Sequence, residues 1–368
     1  MENQNLFDNY KPLSKSGWIE RAIDDLKGAK YEGLTWQTPD DIIIQPFYTR
    51  EDLSESLYPT DFFVNIDEDK NRYWENLDKI EVKSEKTANE AALAALNAGA
   101  DGIIFDLIAS KPDLNILLEG ILLPHCKIYF TGDIDINNDF LAYARLQNVP
   151  SKELRGGLLT SFPIGKNRDI VLSNDFEGFK LLFVDVLNGN SYVGQLVDAL
   201  QKTTNLLDVL TNQGLEAKTV FQNLIIKFDI CSSYFFEIAK IRALRVLLAG
   251  VAAAYEVPNF DPASIHIHCQ TVVKIEEDKN KNLIRNTSEA MSAILGGCNS
   301  LYTTPHDQKE ASRFSRTIAR NVSLILKEEA YFDKVADPAA GSFYLESLTR
   351  ELAEKAWQNF VTSEKQKI

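Results

Sequence analysis

Three of the four histidines and two of the four cysteines fall between residues 264 and 308. In 264–271, SIHIHCQT, the apolar Ile265, Ile267 and Cys269 alternate with polar residues, which predicts a strand. Residues two apart on a strand share a face, so His266, His268 and Gln270 point together. With His306 and Asp307 past the next strand, two such imidazoles are the residue types of a metal triad backed by a carboxylate. The competing reading, packed and hydrogen-bonded polar side chains, is the one the spacing favours. Cys269 beside His268 is no nucleophile–base pair, because neighbours on a strand face opposite ways. No GxSxG is present. The segment 337–342, DPAAGS, reads as a structural turn more than as a backbone cradle for phosphate. Arg242, Arg245, Arg313, Arg316 and Arg320 lie on helical patterns, where arginines are ordinarily solvated or ion-paired, and their spacing alone places no anion on them.

These residues need elements to hold them. Strand patterns occur at 41–48, 101–107, 127–131, 179–186, 223–230, 264–271, 298–303 and 334–336. Helical patterns occur at 15–26, 87–98, 113–120, 191–213, 286–295 and 347–362. Eight short apolar strands alternating with helices predict an α/β protein of the (β/α)8 TIM-barrel type. His268, Gln270, Thr304 and Gln308 then lie at or just past C-terminal strand ends, where such barrels bind ligands. An open doubly wound sheet is disfavoured, since no GxGxxG follows an early strand and no GxxxxGK[ST] occurs. Residues 1–40 read as an extended and helical arm that packs on its own domain or on a partner, and 41–368 as the barrel.

Composition sets the limits. The 368 residues are 45% hydrophobic and 25% charged, enough for a sizeable core. A net charge of −14 argues against a partner gripped through many phosphates, so no nucleic acid is expected. No apolar run reaches the roughly 18–20 residues of a membrane span, and 1–10 is polar and acidic, unlike a secretory signal. The four cysteines, with no CxxC, read as small buried thiols, and a cytoplasmic location is expected.

Five segments in order carry a resemblance: 234–244 (YFFEIAKIRAL), 268–271 (HCQT), 295–307 (LGGCNSLYTTPHD), 315–329 (SRTIARNVSLILKEE) and 337–357 (DPAAGSFYLESLTRELAEKAW). Together they resemble the adenosylcobalamin-dependent methylmalonyl-CoA mutases, strongly over the last third of the chain and weakly back to about residue 41. The resemblance implies a (β/α)8 substrate domain with the thioester's CoA arm threaded along its axis. It also implies a separate C-terminal domain presenting cobalamin to the mouth. In many bacteria such enzymes pair a catalytic chain with a similar, smaller, non-catalytic one.

The departures from the catalytic pattern are specific. No histidine has the Asp-x-His-x-x-Gly context of the family's cobalt ligand, so no C-terminal cobalamin-binding domain is expected. A Tyr-His pair follows the strand read here at 179–186 in catalytic chains; here the passage is Val184-Asp185-Val186-Leu187-Asn188, then Gly189-Asn190-Ser191, and Tyr192 has no histidine beside it. The Arg and Ser that catalytic chains place against CoA correspond to Asn223 and Ile225. His268 and Gln270 match the family's mouth motif, but the Ser-Gly after it is Val272-Val273. Thr304 and Gln308 stand where catalytic chains carry Asn and Glu near the adenosyl group.

The resemblance therefore implies the small, non-catalytic chain of an isomerase heterodimer. Its partner would convert (R)-methylmalonyl-CoA to succinyl-CoA in propionate metabolism. On this reading the chain has no catalytic, cofactor or metal residue; His268, Gln270, Thr304 and Gln308 are vestigial, and adenosylcobalamin sits in the catalytic large subunit. Three alternatives stay open: a stand-alone acyl-CoA-binding barrel, a homodimer of the isolated chain, and a cobalamin domain carried on a longer native chain, which would still lack the Tyr-His pair.

Overall fold

The structure, a computed structural model, describes residues 13–53, 72–108, 111–132, 135–161, 176–189, 191–274, 278–307 and 312–366. The chain enters through helix α1 (Lys15–Asp25) and the two-stranded antiparallel β1 (Trp36–Gln37) and β2 (Ile43–Ile44). Nine parallel strand segments follow: β3 (Glu75–Glu81), β4 (Gly102–Asp106), β5 (Lys127–Thr131), β6 (Arg155–Leu158), β7 (Phe179–Lys180), β8 (Leu182–Asp185), β9 (Leu224–Ile230), β10 (His266–Thr271) and β11 (Ser300–Tyr302). β3 pairs with both β4 and β11, while β7 pairs with β6 and β8 with β9. Leu181 alone separates β7 from β8, so 179–185 is one bent strand and the ring closes as a (β/α)8 barrel.

Helices α2 (Glu85–Asn97), α3 (Leu114–Leu117), α4 (Ile136–Leu146), α5 (Tyr192–Asn212), α6 (Ala217–Gln222), α7 (Tyr234–Ala254), α8 (Lys279–Gly296) and α9 (Arg313–Glu328) line the outside. A final helix, α10 (Phe343–Lys365), packs across α5 and α7 as a further layer. That layer explains why α7 is apolar nearly all round: it meets the barrel on one side and α10 on the other. Serine side chains start α5, α9 and α10: Ser191, Ser312 and Ser342 accept from Gly194, Ser315 and Leu345 N–H.

The barrel was anticipated, but two of the eight expected strands are different ones. The apolar run at 41–48 forms the short β2 outside the barrel, and 334–336 lies in a turn region. β3 and β6 take the two places instead. β3, ENLDKIE, sends Leu77 to the barrel interior and Ile80 to the outer core, with charged residues interleaved, so no apolar run marks it. β6, RGGL, holds glycines that the barrel requires. A Cβ on Gly156 would come 1.8 Å from Ile128 O, and one on Gly157 would come 2.4 Å from Lys180 O.

Residues 13–53 pack on the chain's own barrel. Asp40 accepts from Ser191 Oγ and from Tyr192 N–H (2.8 Å) at the start of α5, and Lys355 of α10 donates to Asp40 O (3.0 Å) and Asp41 O (2.9 Å). Trp36 packs against Phe236, and Tyr48 against Tyr344.

Candidate functional site

The barrel interior is a stack of layers. In its middle Leu77, Ile104, Tyr129, Leu159, Phe183 and Ile225 form one apolar cluster, with Tyr302 packed against it. These six come from strands or strand ends all round the ring, so they fill the axis.

A buried polar string runs beside the plug. Tyr129 Oη donates to Glu75 Oε2 (2.6 Å) and lies 3.3 Å from His266 Nε2. His266 Nε2 and His268 Nδ1 each stand 2.9 Å from Ser300 Oγ. A hydroxyl has one proton to give and two lone pairs, so Ser300 donates to at most one of the two imidazoles. Burial, with Lys227 and Lys79 nearby, drives His268 down to about 3, and burial with Lys180 pushes His266 well below its ordinary range. Both rings are neutral at physiological pH. Burial also lifts Glu75 to about 7.

Above the plug stands a ring of ion pairs. Lys79 meets Asp106 at 2.8 Å, and Lys227 bridges Asp185 at 3.0 Å and Asp229 at 3.1 Å. Burial works against the Lys227 ammonium, but Asp229 and Asp185 outweigh it and hold its pKa above the usual value. Sequence reading missed this ring. Lys227 and Asp229 alternate on β9 like His268 and Gln270 on β10, a period-two signal that was available; Lys79 was hidden with β3.

The expected mouth residues divide. His268 and Gln270 come together on β10, with His268 level with Lys227 and Gln270 level with Asp229 and Tyr302. Thr304 is buried and tied to β10: its N–H donates to Thr271 Oγ1 (2.9 Å), its hydroxyl to Thr271 O (2.7 Å), and its carbonyl accepts from Asn286 Nδ2 (2.6 Å). It fastens the end of β11 and has no hydroxyl proton left for a ligand. Gln308 lies outside the described residues. His306 sits in the turn past β11, and among the described residues no three His, Cys, Asp or Glu side chains could hold a metal.

Behind the mouth, two buried carboxylates brace the strand ends. Glu289 accepts from Val272 N–H (2.9 Å), just past β10, and burial raises it to about 8. Glu237 accepts from Cys231 N–H (3.0 Å), just past β9, and pairs with Lys240 at 2.6 Å, while Lys240 also donates to Gln195 Oε1 (2.8 Å). The DPAAGS segment is a structural turn. Asp337 accepts from Ala339 N–H (3.0 Å), Glu346 from Gly341 N–H (3.2 Å), and Arg242 pairs with both carboxylates.

A family model described as methylmalonyl-CoA mutase matches residues 188–366. The methylmalonyl-CoA mutase small subunit of Porphyromonas gingivalis is 32% identical, over 99% of this chain and 65% of that protein. The methylmalonyl-CoA mutase of Cereibacter sphaeroides is 30% identical over 92% of this chain and 57% of its own length. The Streptomyces virginiae small subunit is 35% identical over 50% of this chain and 31% of its own. The chain thus spans less than two thirds of the length of these curated relatives.

Proposed function

The chain belongs to the methylmalonyl-CoA mutase family, and from that premise we propose that it is the small, non-catalytic chain of a heterodimeric mutase, supporting a catalytic large subunit. The observation that carries the reading is the filled axis. A thioester arm threaded along the barrel would have to displace Leu77, Ile104, Phe183 and Ile225 and cross the Glu75–Tyr129–His266–Ser300 string. Removing one large apolar side chain from a core costs roughly 2–5 kcal/mol. Displacing several such side chains from the axis opposes the entry of a flexible arm. The same filling counts against a stand-alone acyl-CoA-binding barrel.

Adenosylcobalamin does not fit this chain's own mouth. Its corrin would have to lie on the ring of Lys79–Asp106 and Lys227–Asp185–Asp229 ion pairs. The cofactor is therefore proposed for the partner. What this chain supplies is a rigid barrel, braced at its strand ends, as a docking body.

Co-expression with a catalytic chain tests the proposal. Sedimentation at micromolar concentration should show one species containing both chains, and the catalytic chain's turnover should fall when this chain is left out. Separate migration with unchanged turnover would refute the subunit reading.

A further inference from the structure

Outside the barrel, between α2 and α9, runs a groove of about 490 Å³. One wall is Ala91, Ala94, Ala95 and Ala98 of α2 and its end; the other is Arg313, Arg316, Thr317 and Arg320 of α9; Asp78 and Ile80 of β3 complete its lining. Both sets follow the i, i+3, i+4, i+7 spacing of a single helix face. A stripe of methyl groups thus confronts a stripe of guanidinium groups, and the alanines leave the space between the helices open. The helices meet at one end. There Arg320 Nε donates to Ala98 O (3.2 Å), and a Cβ on Gly99 would touch Leu324 Cδ1 at 3.0 Å.

The charges do not cancel. Arg320 is paired with Asp78 at 2.8 Å, which neutralises the one acidic side chain lining the groove. Arg316 is half-buried and Arg313 exposed; neither forms a direct ion pair among the described residues, although Arg316 lies close enough to Asp78 and Glu81 to favour both carboxylates. Two guanidinium groups without a direct ion-pair partner among the described residues therefore face a concave space of small-molecule size, in a chain whose net charge is −14. The overall field repels anions, so an anion held here must be held by local contacts. Planar guanidinium forks match phosphate oxygens in pairs. The volume suits a phosphate with a modest group attached.

We propose that the groove between α2 and α9 binds a small phosphate-bearing anion, gripped by Arg313 and Arg316 with the Asp78-held Arg320 behind them. The site is separate from the barrel axis and does not depend on the subunit reading.

Calorimetry of the full chain with inorganic phosphate, pyrophosphate and a nucleoside monophosphate, at about 0.15 M salt to suppress long-range attraction, tests it. The expected result is saturable binding of at least one of them with a dissociation constant of about 1 mM or tighter. Arg316→Gln should weaken it at least tenfold. Ala94→Leu, which fills the groove without changing charge, should weaken it as well. Arg21→Gln, on the exposed face of α1, should not. Thermal unfolding of each variant confirms that it is folded. No binding of any probe up to about 10 mM would overturn the proposal. Binding that survives both Arg316→Gln and Ala94→Leu would overturn it too, as would saturable capture of an acidic peptide alongside indifference to every phosphate probe.

Discussion

His268 owes its chemistry to one hydroxyl. Its Nδ1 and the Nε2 of His266 converge on Ser300 Oγ, both at 2.9 Å, and burial keeps both rings neutral. A His that falls from 6.5 when unfolded to about 3 when folded contributes stability that is complete above pH 6.5. That stability is lost as pH falls from 6.5 toward 3, because there the unfolded chain binds the extra proton. Glu289 has the opposite sign. Raised from 4.5 to about 8, it contributes stability below pH 4.5 that is lost as pH rises through 8. Denaturant unfolding from pH 3.5 to 8.5 should therefore separate two variants. His268→Leu flattens the acid limb, whereas Glu289→Gln flattens the alkaline one and gains on the parent as pH rises, since its amide oxygen can still accept from Val272. Parallel shifts of both variants at every pH would contradict this assignment. The shared face of His266, His268 and Gln270 was legible from alternation on one strand. Their partner Ser300 was not, because it depends on the register between β10 and β11.

Elements are joined here by single polar side chains that reach the ends of their neighbours. Arg245, fully buried on α7, donates to Pro262 O (2.7 Å), Ile265 O (3.1 Å), Gly297 O (2.8 Å) and Asn299 Oδ1 (2.9 Å), tying α7 to the entries of β10 and β11. Asp40 does the same between the N-terminal arm and α5, next to the helix's own Ser191 cap. Its carboxylate lies at the positive end of α5, where a cap and the helix dipole act together. Asp40→Ala should cost about 1–2 kcal/mol. Protease should then cleave preferentially within residues 13–53 before the barrel opens, and uniform loss of protection across the chain would argue against a separable arm. Strand reading failed where this architecture overrides local propensity. β6 is a strand because Gly156 and Gly157 let neighbouring backbones approach, although glycine is a poor strand former. β3 interleaves charges because Asp78 and Lys79 meet Arg320 and Asp106 on opposite faces. At 41–48 Ile42 and Ile44 are real core while Ile43 and Phe47 stay exposed, and the buried pair packs against the barrel rather than inside its wall.

At the scale of the molecule the deciding quantity is what occupies the axis. Alternation could reveal which residues face inward, but whether their side chains meet across the barrel depends on stagger between strands that are distant in sequence. Phe183 and Ile225 are paired neighbours on β8 and β9, and both belong to the axial cluster. Truncating either to Ala should cost about 2–5 kcal/mol. The double variant should cost less than the sum, because the two side chains share one space and a single enlarged cavity is opened. Opening that cavity should still not create a thioester site. The Glu75–Tyr129–His266 string remains beside it, with His266 level with Ile225, and the Lys227–Asp185–Asp229 ion pairs remain above. Chemical denaturation of the parent, both single variants and the double variant gives the coupling. Calorimetry with a CoA thioester on the same four proteins should give no binding heat in any. Binding by the parent would mean that the plug yields to ligand, and binding gained only by the double variant would mean that Phe183 and Ile225 alone close the axis.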